Sequence, residues 1–315
     1  MNERLLTLID LASERLGAAA IEANDEFFAP KDCLVKPSAP QWREGEYTDR
    51  GKWMDGWETR RRRDVAPDSH DWCIVRLGAR GIVRGVDVET TYFTGNFPES
   101  CAIDASDGAA GPWREILART PLKGGSHNVF EIGGEVSATH VRLRIYPDGG
   151  VARLRVYGDV VPDWERLRLQ GDVDLAAVEH GGLIVDCSDS FFGSRHNLIM
   201  PGDATHMGDG WETRRRRGPG HDWTIVRLGA PGAIRRVEVD TRHFKGNAPG
   251  ACSLDGSAAL SGDAWQELMP RTPLQPHARH AFESEVRAIG AVARVRFNIF
   301  PDGGVGRLRL FGRLE

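Results

Sequence analysis

Cysteine is sparse in this sequence, five residues in 315 at Cys33, Cys73, Cys101, Cys187 and Cys252, with no Cys-x-x-Cys among them. An odd, scattered set excludes a disulfide framework and a thiolate zinc site, and points to reduced thiols in a cytoplasmic protein. Histidine is thin as well: ten residues, with no His-x-His or His-x-x-x-His spacing. No carboxylate run has calcium-loop spacing either, so the sequence offers no metal ligands and no cofactor is expected; any dependence on a divalent metal is a matter for chelation. Long apolar runs are missing: nothing approaches the roughly 20 residues that span a bilayer. Residues 1–20 lack the basic flank and apolar stretch of a secretory leader. Nor does one sign of charge dominate, the formal net charge being −4, which leaves no footprint for nucleic acid or an anionic membrane.

What is present is a duplication. Gly-Trp-Glu-Thr-Arg-Arg-Arg-Arg at 56–63 returns unchanged at 210–217. In the same order recur His70-Asp71-Trp72 with His221-Asp222-Trp223, Gly95-Asn96 with Gly246-Asn247, and Arg119-Thr120-Pro121-Leu122 with Arg271-Thr272-Pro273-Leu274. Each copy closes on Pro-Asp-Gly-Gly-Val followed by Arg-Leu-Arg, ending at Arg155 and Arg309. A period this long is a domain rather than a solenoid unit, so the chain reads as two similar domains, each with its own core.

Within each copy, short runs alternate apolar and charged residues between turn signals. Val141-Arg142-Leu143-Arg144-Ile145, Leu154-Arg155-Val156 and Val86-Asp87-Val88 are examples. The period of two predicts half-buried antiparallel strands, with a Gly turn between Leu77 and Val86, and their number implies β-sandwiches. Leu5, Leu8, Ile9, Leu11 and Leu16 fall at mostly helical spacing and predict an amphipathic N-terminal helix. The expected layout is helix 1–20, first repeat 21–160, a connection over 161–180 with a short helix from Asp172 to Val178, and second repeat 181–315.

The repeated polar residues are the candidates for chemistry. If the arginine run is extended, Glu58, Arg60 and Arg62 share one face and Trp57, Thr59, Arg61 and Arg63 the other, with Glu212, Arg214 and Arg216 matching in the second copy. Guanidinium forks suit a small anionic, carbonyl-rich ligand, or else a structural ion-pair network. Asn96 and Asn247 can hydrogen-bond an amide-like ligand through both ends of the side chain, or simply occupy turns. His70 and His221 open strands, where they can transfer protons or merely cap a loop. Asp148 and Asp302 are expected to shape their turns.

Taken together, these segments, with Ser188-Asp189-Ser190-Phe191-Phe192-Gly193 and the 240–247 stretch from Asp240 to Asn247, resemble the allantoicase family over nearly the whole chain. The resemblance implies an all-β fold of two tandem homologous jelly-roll sandwiches of galactose-binding or discoidin-like type, and assembly as a homo-oligomer. It implies hydrolysis of allantoate to ureidoglycolate and urea in purine degradation. On that reading Glu58, His70, Glu212, His221 and His243 are candidates for proton transfer, and Arg60, Arg62, Asn96, Arg214, Arg216 and Asn247 for substrate binding. The copies are not identical, since Tyr92 stands where the second has His243 and Phe97 where it has Ala248. The rivals are a discoidin-like module that binds without turnover and a related ureidoglycolate-processing enzyme.

Overall fold

The computed structural model describes residues 5–64 and 66–315. The chain divides into two compact units, Met1–Val161 and Pro162–Glu315. Each is built on an eight-stranded antiparallel arrangement of the same topology.

In the first unit the organising element is a 19-residue strand, Asp71–Glu89. Its first half pairs with Ser137–Tyr146 on one side and Ala19–Ala23 on the other. Its second half pairs with Arg153–Val160 and His127–Glu131. One strand thus serves two sets of neighbours, the device by which a jelly-roll sandwich links its layers. The Gly turn expected between Leu77 and Val86 is not a chain reversal, for the strand runs through it. Glycine is needed there for close approach: a Cβ on Gly78 would lie 2.6 Å from the Leu16 carbonyl oxygen, and one on Gly81 would lie 2.6 Å from Leu11 Cδ1.

The alternation seen in the sequence lines the core. Cys73, Val75, Val86, Val88, Val141, Leu143, Ile145, Leu154 and Val156 are all buried without exposure. Between them Arg142 and Arg144 turn outward onto Asp104, at 2.7 and 2.9 Å.

The N-terminal helix is corrected by the structure. Its described residues form a 3-10 turn at Leu5–Thr7, a two-residue strand at Ile9–Asp10 and a second 3-10 turn at Glu14–Leu16. The cause is Asp10, whose Oδ1 accepts the amides of Ala12 and Val156 at 3.0 Å each and so draws the chain into the edge of the sheet. The apolar residues are still buried, but by a strand edge. The 161–180 stretch repeats this arrangement. After a short α-helix at Trp164–Arg168, Val173–Asp174 pairs with Arg307–Leu314, and Asp174 Oδ1 accepts Ala176 N and Leu310 N at 3.1 and 2.9 Å. The short helix expected after Asp172 is therefore a strand followed by a 3-10 turn at Val178–His180.

The arginine that opens each closing Arg-Leu-Arg is structural. Arg153 is wholly buried and donates to Ser38 O, Asp55 O, Ala152 O and Asp55 Oδ2 at 2.7–3.0 Å. Arg307 does the same in the second unit, donating to Asp209 O, Asn197 O and Gly202 O at 2.6–3.1 Å. Each ties the loop before the Trp-Glu-Thr segment to the core sheet.

Candidate active site

Trp57 and Glu58 form a two-residue strand paired with Gly150–Val151, Glu58 opposite Gly150. The Trp57 ring is fully buried and its Nε1 donates to Asp25 O at 2.8 Å. Beyond Glu58 the chain leaves the ladder, yet its sides go on alternating. Thr59 is buried, its hydroxyl oxygen accepting Gly149 N at 3.1 Å. Arg60 donates from its amide and Nε to Asp25 at 3.1 and 2.6 Å. Arg62 is held at four points: its amide on Asp148 Oδ2 at 2.7 Å, its Nε on Asp71 Oδ1 at 3.1 Å, its Nη2 on His70 O at 2.8 Å and its Nη1 on Asp64 Oδ1 at 3.1 Å.

The Pro-Asp-Gly-Gly turn fixes the rest. Gly149 has φ +137°, and a Cβ there would lie 2.7 Å from Asn96 O, so only glycine fits. That close approach lets Gly150 N donate to Asn96 O at 2.8 Å, and Asn96 Nδ2 donates in turn to Glu58 Oε1 at 2.7 Å. Glu58 and Asn96 are thus brought together by a turn more than fifty residues further on. Asp148 does more than shape its turn, because its carboxylate accepts the Arg62 amide.

These groups border an open cavity of about 610 Å³ lined by Phe28, Glu58, Arg61, Arg62, Arg63 and Asn96, among others. An adjoining hollow of about 660 Å³ shares Phe28 and the arginines and adds Asp25, Arg60 and Asp71. Burial raises the Glu58 carboxyl above its ordinary range, against the lowering effect of the Asn96 hydrogen bond. Burial also works to raise Asp25, but hydrogen bonds from Phe27 and Arg60 outweigh it and hold that carboxyl below its usual value. Asp71 Oδ2 is buried with no hydrogen-bond partner among the described residues.

The second unit repeats the construction. Trp211 Nε1 donates to Asp189 O at 2.8 Å, Arg214 N to Asp189 Oδ1 at 3.0 Å, and Arg216 N to Asp302 Oδ2 at 2.8 Å. Arg216 Nη2 pairs with Asp222 Oδ1. Asn247 Nδ2 donates to Glu212 Oε1 at 2.6 Å.

Of the residues singled out in the sequence, Glu58 with Asn96 and Glu212 with Asn247 meet directly. Arg60, Arg62, Arg214 and Arg216, expected to hold substrate, are committed instead to Asp25, Asp71, Asp189 and Asp222. Their neighbours Arg61, Arg63, Arg215 and Arg217 are exposed and, among the described residues, make no ion pair. The histidines lie apart. His70 leans on Tyr146 at a tilt of 41° with centroids 5.2 Å apart, its Nδ1 at 2.8 Å from Asp68 O, and it lines neither hollow. His221 leans on Phe300 at a tilt of 36° with centroids 4.7 Å apart and meets Asn298 Oδ1 at 3.2 Å. His243 takes a left-handed backbone, φ 72°, with Nε2 at 2.9 Å from Ala204 O. The sequence reading overlooked Asp25 and Asp189, although their recurrence before a Phe-Phe pair in both copies was a visible signal.

A smaller cavity of about 240 Å³ in the second unit is lined by Asp203, Asp240, Arg279, Arg307 and Arg309, and by neither Glu212 nor the arginine run. Its wall charges are largely spent on one another: Asp203 meets Arg242 and Arg279, and Asp240 pairs with Arg242 at 2.6 Å. Among the described residues no group of three or more His, Cys, Asp or Glu side chains converges as metal ligands.

The family model of the allantoicase repeat matches residues 9–161 and again 173–315. The chain belongs to the allantoicase family. A probable allantoicase of Photobacterium profundum is 49% identical over 96% of this chain and 96% of its own, and probable allantoicase 1 of Burkholderia mallei is 48% identical over 98% and 95%. The crystal structure of allantoicase from Saccharomyces cerevisiae is 34% identical with a TM-score of 0.83, covering 96% of this chain and 92% of that one. Both repeats of the allantoicase family are therefore present here, and each carries the Glu-Asn contact and the arginine run intact.

Proposed function

We propose that the chain hydrolyses allantoate to ureidoglycolate and urea at the arginine-rimmed cavity that holds Glu58. The observation that carries this reading is a half-buried carboxyl, Glu58, held by Asn96 beside the exposed guanidinium groups of Arg61 and Arg63, which make no ion pair among the described residues. Allantoate has one carboxylate and two ureido groups on a single carbon. Arg61 and Arg63 take the carboxylate, since Arg60 and Arg62 already neutralise Asp25 and Asp71. The free Asp71 Oδ2 accepts a ureido N–H, and the ordered Arg60 and Arg62 keep the run in place.

The reaction adds the hydroxyl of water to the central carbon, breaks one C–N bond and puts the remaining proton on the departing urea nitrogen. Glu58 serves both needs, taking the proton from water and passing it to the leaving nitrogen. A carboxyl raised by burial suits this duty because its protonated form is more accessible near neutral pH. The reading extends to a cytoplasmic homo-oligomer, consistent with the free thiols Cys33, Cys73, Cys101 and Cys252, all buried, and Cys187. No helix of the described residues is long and apolar enough to cross a membrane.

Purified protein given allantoate is expected to release urea and ureidoglycolate in equal amounts, with the rate unchanged after exhaustive chelation. Absence of urea from folded protein overturns the reading; a loss on chelation restored by a divalent ion overturns only its metal-free part. Alanine at Arg61 and Arg63, combined with alanine at Arg215 and Arg217, is expected to raise KM roughly 10- to 100-fold, the worth of one or two charge-assisted hydrogen bonds, with kcat little changed. A KM within twofold of the parent would reassign the carboxylate.

A further inference from the structure

Resting on that reaction, we infer that each chain carries two complete catalytic centres, one in each unit, rather than one centre and a scaffold. The contacts that fix the glutamate, the arginine backbone and the buried tryptophan have counterparts of nearly the same length in the second unit, while the Arg60 Nε–Asp25 pair at 2.6 Å loosens to 3.6 Å between Arg214 and Asp189. The Asn-to-Glu bonds are 2.7 and 2.6 Å. The arginine amides meet the turn aspartates at 2.7 and 2.8 Å, and the Trp Nε1 bonds are both 2.8 Å. The glycine that lets the turn press on the asparagine carbonyl recurs with the same φ of +137°, at Gly149 and Gly303. A unit kept only as scaffold has no use for an exposed arginine pair, without an ion pair among the described residues, beside a held carboxyl.

The centres differ at their walls. Phe97 lines the first cavity, and the matching residue in the second unit is Ala248. Asn96 bonds Glu58, whereas Asn247 Nδ2 also lies 3.9 Å from Met207 Sδ. A ring beside one centre and a methyl group at the matching position of the other give the two centres different KM values with the same chemistry.

The test uses the full-length protein with Glu58→Gln and Glu212→Gln made separately, and the double variant as a binding probe. Each single variant is expected to keep a substantial part of kcat, the two residual rates summing to about the parent value, with the two KM values distinct. The double variant, folded by circular dichroism, is expected to bind two equivalents of allantoate per chain in calorimetry. One single variant at the parental rate and the other inactive, or one equivalent bound, overturns the inference while leaving the reaction intact. A parent protein that releases no urea overturns the underlying reading instead.

Discussion

Glu58→Gln and Glu212→Gln together are expected to lower kcat for urea release by about 10²–10⁴, the usual worth of a positioned acid-base group. KM should move much less. Glutamine keeps the oxygen that accepts Asn96 Nδ2 at 2.7 Å and Asn247 Nδ2 at 2.6 Å, so both contacts are retained and the change removes only the ability to carry a proton. A loss equal in kcat and kcat/KM, with an unchanged circular dichroism spectrum and melting temperature, is the signature of an interaction made in the transition state. A double variant within tenfold of the parent would move proton transfer to another group, and Asp71 and Asp222 would be the next to test.

The second large effect is on stability. Arg153→Leu is expected to destabilise the first unit by about 3–5 kcal/mol, the cost of leaving a buried charge without its partner, and to lower its melting temperature by about 10 °C. Arg153 is wholly buried, and its Nη2 lies 2.8 Å from Asp55 Oδ2. Without it Asp55 keeps only Lys36 and the Gln41 amide. A shift below 2 °C would show that water or Lys36 replaces the guanidinium without loss. The same pair predicts a pH dependence. Burial tends to raise the Asp55 carboxyl, but Arg153, the Gln41 amide and Lys36 outweigh it and hold it down to about 2. A carboxyl depressed in the folded state stabilises the protein above its unfolded pKa of about 3.9 and loses that contribution as pH falls through the folded value. The contribution, on the order of 2 kcal/mol, should therefore fade between about pH 4 and pH 2 in the parent protein and be nearly absent in Arg153→Leu. Urea melts at pH 6 and pH 3 read the difference.

Much of this architecture is legible in the sequence. Periodicity of two marks the strands around Val141 and Leu154, because a pleated strand sends successive side chains to opposite faces and only one face meets the core. The duplication marks Glu58, Asn96 and the arginine run as belonging together, and the glycine of Pro-Asp-Gly-Gly announces a turn. The N-terminal segment misleads because leucines at helical spacing also suit a chain that turns twice. Asp10 decides between the two by capping an amide of a strand about 145 residues away, at Val156.

The choice among four identical guanidinium groups could not be read locally. Which arginine is an anchor and which is free depends on where Asp25, Asp71 and Asp148 stand. Two of these lie 35 and 86 residues from the arginines they hold, and folding alone sets those distances. Alternation along 57–63 correctly separates the even from the odd positions, but it carries no information about which side meets carboxylates. His70 was attractive as the titratable residue of its segment; the sandwich turns its ring onto Tyr146 and presents the following aspartate to Arg62. The sequence by itself determined the two-domain β-fold and the residue types at the site, since both follow from short-range pattern and repetition. Tertiary structure decided which charges neutralise each other and which remain for a ligand, because ion pairing is a matter of proximity in space between residues that the chain keeps far apart.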